Sequence, residues 1–279
     1  LQVADNLYSI SEAQLIILEK MIGLISGELL DKLDIINWAA PIPYFGDPCR
    51  ATIATVGLNP SDREFVSSEG RELIEPERRF HTLASLGLAS WNELTSQQLE
   101  SIHTSCTEYF SRNPYDAWFK PLDLLLKGTN DSFYSPLFHA CHLDLIPYAT
   151  GIKWAFLKPW QRESLLTISA TFLGQVLKYS PLKMLVLNGK TVVESFERAA
   201  DVSFRKESIE TWCLPRKNGN HIKGFSYEGK ISKMAGVDLG RDIYILGYNH
   251  NIQSSYGVTT SVRTSIQEWI SQKAKEIVN

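Results

Sequence analysis

A chain of 279 residues, 44% hydrophobic and 21% charged, is long enough for one large α/β domain and apolar enough to bury a core. Its aromatic content of 11% speaks against long disordered stretches, and no apolar run reaches the roughly 20 residues of a membrane-spanning helix. The net charge of −3 gives no sign of a generally basic surface, so any contact with a phosphate backbone has to be local.

In chain order, the first expected element is a helix from Ser9 to about Asp34. Ser9 and Glu12 fit a capping box, and Leu15, Ile16, Leu18, Ile22, Ile25 and Leu29 recur at helical spacing. Pro41, Pro43, Gly46 and Pro48 then mark an irregular loop. Four short apolar runs read as buried strands: Thr52–Val56, Cys141–Ile146, Lys183–Leu187 and Asp242–Leu246. Helices are expected between and after them, over Thr95–Phe110, Ala117–Leu126, Trp160–Lys178, Lys190–Ala200 and Thr260–Ile277. This alternation predicts an α/β fold, a three-layer sandwich with a central four-stranded, mainly parallel sheet. The expected division is an N-terminal helical segment over residues 1–50, packed on a catalytic domain over residues 51–279.

Residues Ser203–Gly240 break the pattern, with several Gly and Lys. From Arg205 to Arg241 there are eight basic and four acidic residues, a local excess of about +4. A solvated β-hairpin and a flap that meets a phosphate backbone both fit that stretch. The four cysteines, Cys49, Cys106, Cys141 and Cys213, are scattered and show no zinc or iron–sulfur spacing. They are expected as reduced thiols, mostly buried, in a cytoplasmic protein without metal or other cofactor. Gly189-Lys190-Thr191 is not a phosphate-binding loop, because Met184 stands where that motif needs its first Gly.

Ligands of open parallel sheets bind beyond the carboxyl ends of the strands. The segments there are Gly57-Leu58-Asn59-Pro60-Ser61, Pro147-Tyr148, Asn188-Gly189-Lys190, and Gly247 through Ser255. Gly57-Leu58-Asn59-Pro60 after a buried first strand resembles the first motif of the uracil-DNA glycosylase superfamily. The stretch around His250, after the last strand and before the terminal helix, is similar in placement to the second motif. It reads Asn249-His250-Asn251 and lacks that motif's proline. The resemblance runs from about Ala51 to the C-terminus.

The resemblance implies a metal-independent DNA glycosylase that flips a base out of the helix and cuts its bond to the sugar. Asn59 would orient the attacking water, and His250 would donate a hydrogen bond to the departing base, with Asn249 open as an alternative for that role. Gly57, Leu58, Pro60 and Ser61 would line the site. Phe65, with Phe80 as a second candidate, would stack on the base. Asn251, Ile252, Gln253 and Ser254 would enter the DNA, Ile252 as a wedge.

Two positions bear on the base. Asp144 stands on the second strand where uracil-selective members carry an Asn that reads the base edge. A carboxylate only accepts hydrogen bonds, which suits the N4 amino group of cytosine and opposes the O4 of uracil. Ser61 stands where a Tyr would wall off the C5 side. The expected substrate is therefore a C5-modified cytosine, such as a glucosylated one, in defence against phage. The alternatives are a uracil or mismatch repair glycosylase, an inactive DNA-binding member, and an unrelated α/β enzyme such as a small-molecule nucleoside hydrolase. His142 shares a strand face with Asp144, and Lys153 and Trp154 follow close behind.

Overall fold

The four apolar runs become four neighbouring strands on one side of a single sheet. In the computed structural model, which describes residues 10–25, 32–137, 139–215, 221–253 and 257–278, they are β1 (Ile53–Gly57), β2 (Ala140–Asp144), β3 (Met184–Asn188) and β6 (Val237–Tyr248). Every residue of β1, β2 and β3 is buried, as strands covered on both faces require. These four strands are parallel, in the spatial order β2-β1-β3-β6.

The sheet is larger than the sequence suggests. Two long strands, β4 (Arg205–Pro215) and β5 (His221–Met234), extend it past β6 to six strands and make it mixed. Both pair antiparallel. The expected four-stranded sheet is corrected on this point. Among the Gly and Lys of this stretch, Trp212, Leu214, Tyr227, Ile231 and Met234 are buried and anchor both strands against the domain. A two-residue turn at Ala235 and Gly236, both at positive φ (47° and 80°), returns β5 into β6 with Met234 opposite Val237.

Helices flank the sheet: α1 (Ile10–Ile25), α2 (Ser96–Thr107), α3 (Asp116–Leu126), α4 (Pro159–Lys178), α5 (Lys190–Ala200) and α6 (Thr260–Val278). Helices α4 and α5 pack on β5 and β6, and α6 packs on β3, β4, β6 and α3. Ile17, Leu18, Met21, Ile22 and Ile25 bury one stripe of α1 against the core, where it meets α2 and α4. The proposed Ser9 cap lies outside the described residues. None of the described helices is long and apolar enough to cross a membrane.

Local chemistry sets the start of α2. The Thr95 side chain accepts from the Gln98 N–H, and the Gln98 side chain accepts from the Thr95 N–H. Thr95→Ala should lower stability by about 1 kcal/mol, read as a shift of the urea midpoint at constant slope. Arg241 ties β6 to its surroundings, with its guanidinium donating to the carbonyls of Leu177, Lys178, Ser180, Leu182 and Leu239.

Candidate functional site

Because β1 and β2 run parallel in register, Gly57 faces Asp144 at the carboxyl edge. Asp144 is 6% exposed and His142 is 2% exposed, and the two share one face of β2. His142 Nε2 lies 3.3 Å from Asp144 Oδ1, and His142 Nδ1 lies 2.7 Å from the Thr55 hydroxyl on β1. A proton on Nε2 faces the carboxylate and leaves Nδ1 to accept from Thr55. A buried carboxylate thus has a partner, and that partner is itself held.

Gly57 makes this possible. A Cβ at that position would stand 2.3 Å from Asp144 Oδ1 and 3.0 Å from His142 Nε2. Gly57→Ala should therefore push the pair apart and destabilise the fold by about 2 kcal/mol in denaturant titrations.

The chain leaves β1 through Leu58, whose carbonyl accepts from the Ile146 N–H and keeps the two strand ends together. The half-buried Asn59 follows. Its amide nitrogen donates to the Pro60 carbonyl at 3.1 Å and to the Thr150 hydroxyl at 3.2 Å. Both amide hydrogens therefore have acceptors. Pro60 is buried, and exposed Ser61 caps a short 3-10 turn over Asp62–Glu64. A cavity of about 540 Å³ borders this turn, lined among others by Trp38, Asp62, Val66 and Gly151.

Glu64 carries chemistry that the sequence does not mark. It is 3% exposed, its Oε2 accepts from the Tyr109 hydroxyl at 2.8 Å, and Arg79 Nε lies 4.0 Å away. Burial pushes its carboxyl up to about 7. The Tyr109 bond and the Arg79 charge pull it down, and the Asp144 charge adds to the rise. Burial and the neighbouring Glu64 also hold the Tyr109 phenol well above its ordinary value. A short acidic turn gives no hint in the sequence that one of its carboxylates is enclosed. Thr55, Arg79, Tyr109 and Thr150 are likewise positioned by partners distant in the chain.

Phe65 and Phe80 are not open platforms. They are 1% and 2% exposed. Phe65 sits edge-on to Trp38 and tilted on Phe80, which stacks on Tyr109 with centroids 5.0 Å apart. Aromatic packing closes the faces that a base would need.

The turn after β6 lies at the same sheet edge, with β3 between it and β1, so the strand axes stand about 10 Å apart. The Asn188 side chain at the end of β3 accepts from the Tyr248 hydroxyl and donates to Gln253 Oε1 at 2.9 Å, locking the two turns together. The side chains of the second motif, however, point outward along the sheet. Asn249 accepts from the Phe225 N–H and donates to the Lys223 carbonyl, both at 2.8 Å.

His250 is 4% exposed, and its Nε2 meets the Trp212 carbonyl on β4 at 2.7 Å. The reason lies in β4, whose pairing with β5 shifts register between Ile209 and Leu214. A carbonyl in such an irregular stretch needs a donor from elsewhere. The proton expected to face a leaving base therefore faces β4. Ile252 is 1% exposed and is a core residue rather than a projecting wedge. Exposed Asn251 accepts from the Gln253 N–H. Ser254 lies outside the described residues.

All four cysteines are free thiols, Cys106 and Cys141 fully buried and Cys49 and Cys213 half-buried. Among the described residues, no group of three or more His, Cys, Asp or Glu is placed to hold a metal ion. No family model matches the chain, and no curated protein matches its sequence.

Proposed function

We propose that the chain is a DNA glycosylase that hydrolyses the N-glycosidic bond of a flipped, C5-modified cytosine, acting without a metal. The observation that carries the reading is the pairing, at one sheet edge, of the Gly57-Leu58-Asn59-Pro60 turn with the buried His142–Asp144 pair. The parallel order β2-β1-β3-β6, flanked by helices, fits the three-layer fold that the resemblance to the uracil-DNA glycosylase superfamily implies.

In this reading each residue has one task. With its amide hydrogens on Pro60 and Thr150, Asn59 offers its amide oxygen to a water and aims it at C1′. An amide oxygen is too weak a base to take the proton early, so it positions and polarises. The sugar develops positive charge as the C1′–N bond breaks, the base leaves with the bonding electron pair, and the proton released by the attacking water passes to the departed base once the C1′–O bond has formed. Asp144 accepts from the N4 amino group, while His142 holds its carboxylate in place. The exposed Ser61 leaves the C5 side open to a bulky substituent.

A second reading, DNA binding without excision, is favoured by one specific observation. The side chains of Asn249 and His250 are both engaged by backbone groups of β4 and β5, so neither faces the Asn59 turn. The test is abasic-site formation on duplexes carrying cytosine, uracil, 5-hydroxymethylcytosine or glucosylated hydroxymethylcytosine, read by alkaline strand cleavage. Release of the 5-substituted cytosines is expected. Release of uracil alone ends the cytosine assignment, and tight binding with no release on any duplex selects the second reading.

A further inference from the structure

Directly beyond Thr150 the chain exposes large apolar side chains at the carboxyl edge of the sheet. Phe156 is 75% exposed, Trp160 49% and Ile152 39%. Large exposed rings four positions apart in the chain, beside an exposed Ile152, are a feature of surfaces that bind other molecules. The stretch from Gly151 to Arg162 also carries Lys153, Lys158 and Arg162 and no acidic residue, in a chain of net charge −3. None of these three cations forms an ion pair with a described residue.

The surface is held in place. Leu157, 2% exposed, plugs the segment into the core between Phe156 and Lys158. Gln161 accepts from the Lys158 N–H and donates to the Lys32 carbonyl and to Asp34. It is also wired to the candidate site. Asn59 donates to the Thr150 hydroxyl, and that hydroxyl donates to the Ile152 carbonyl at 2.7 Å.

We infer that Phe156 and Trp160, with Lys153, Lys158 and Arg162, form a platform for an unpaired stretch of the DNA strand that carries the target base. Exposed rings stack on bases of any sequence, and interleaved cations follow the phosphates. A nucleic-acid strand uses both features at once, its bases on the rings and its phosphates on cations that form no ion pair with a described residue, and the neighbouring site is read as one that acts on DNA. The inference rests on that reading of the neighbouring site. It also places the strand-holding surface on the segment after β2 rather than on the turn after β6, where Ile252 is buried.

The test is fluorescence anisotropy of a short labelled oligothymidylate against the full chain over a range of salt. The Phe156→Ala/Trp160→Ala variant should bind about tenfold more weakly per ring removed, with the salt dependence kept. The Lys153→Glu/Lys158→Glu variant should flatten the plot of log affinity against log salt by roughly one to two units. Thermal unfolding like that of the unaltered chain is expected for both, because the replaced side chains are exposed. Unchanged oligonucleotide binding in both variants overturns the inference. So does unchanged oligonucleotide binding with lost binding to phosphatidylserine vesicles, which assigns the surface to a membrane. Ring-dependent DNA binding by a protein that releases no base supports the platform and removes the glycosylase reading. Base release with ring-independent binding does the reverse.

Discussion

Replacing Asn59 by alanine is expected to lower the single-turnover rate of base release by about 10²–10³ while leaving affinity for the DNA near that of the unaltered chain. The asymmetry follows from the geometry. The side chain is half-buried and fixed by Pro60 and Thr150, so what it offers is an oriented amide oxygen rather than binding area. An interaction made mainly in the transition state shows in the rate and not in the affinity. Asn59→Asp should not restore activity, because a carboxylate cannot donate to the Pro60 carbonyl and would be repelled by it. Near-full turnover in Asn59→Ala would remove Asn59 from the mechanism.

Stability should depend on pH through Glu64, and Glu64→Gln should isolate that dependence. The carboxyl sits at about 7 in the folded chain against an ordinary 4.5, chiefly because it is buried. Between those two values the folded protein holds a proton that the unfolded chain has released. Stability from this group therefore falls as pH rises from 4.5 to 7 and stays low above, by about 3 kcal/mol in all. His81 works in the opposite sense. Burial, then the charges of Arg78 and Arg112, lower it to about 4 from 6.5, so its contribution is lost as pH falls through that window. The two largely offset each other in the unaltered chain. Glutamine keeps an acceptor for Tyr109 and never ionises. The stability of Glu64→Gln relative to the unaltered chain should thus rise from pH 4.5 to 7 and then level off. Urea titrations at several pH values read this directly, and a constant difference would mean that Glu64 does not titrate in that window.

The parts of the fold that can be read in the sequence are those fixed by short-range pattern. Ile53–Gly57, Ala140–Asp144 and Met184–Asn188 are short, fully buried and largely apolar runs, interrupted by Thr55, His142, Asp144 and Asn188, whose polar groups find partners inside the fold. Thr95 and Gln98 announce the start of α2 three residues apart. The hairpin β4–β5 is harder to read, because its charged outer residues mask the alternation that buries Trp212, Leu214 and Tyr227. Within the site, His142 and Asp144 are legible as a pair because a strand places alternate residues together. The orientation of His250 is not legible, since it depends on an irregularity in β4 that lies 38 positions away. Glu64 is hidden for the same reason: Tyr109, Arg79 and Asp144 enclose it from distant parts of the chain.

The most direct measurement is a crystal structure of the Asn59→Ala variant bound to an oligonucleotide carrying glucosylated hydroxymethylcytosine. The account predicts one nucleotide swung out of its strand, its amino group on the Asp144 carboxylate and its sugar against the turn that follows β1. A base lodged elsewhere, or a strand lying across the protein with every base still stacked in its neighbours, would contradict it.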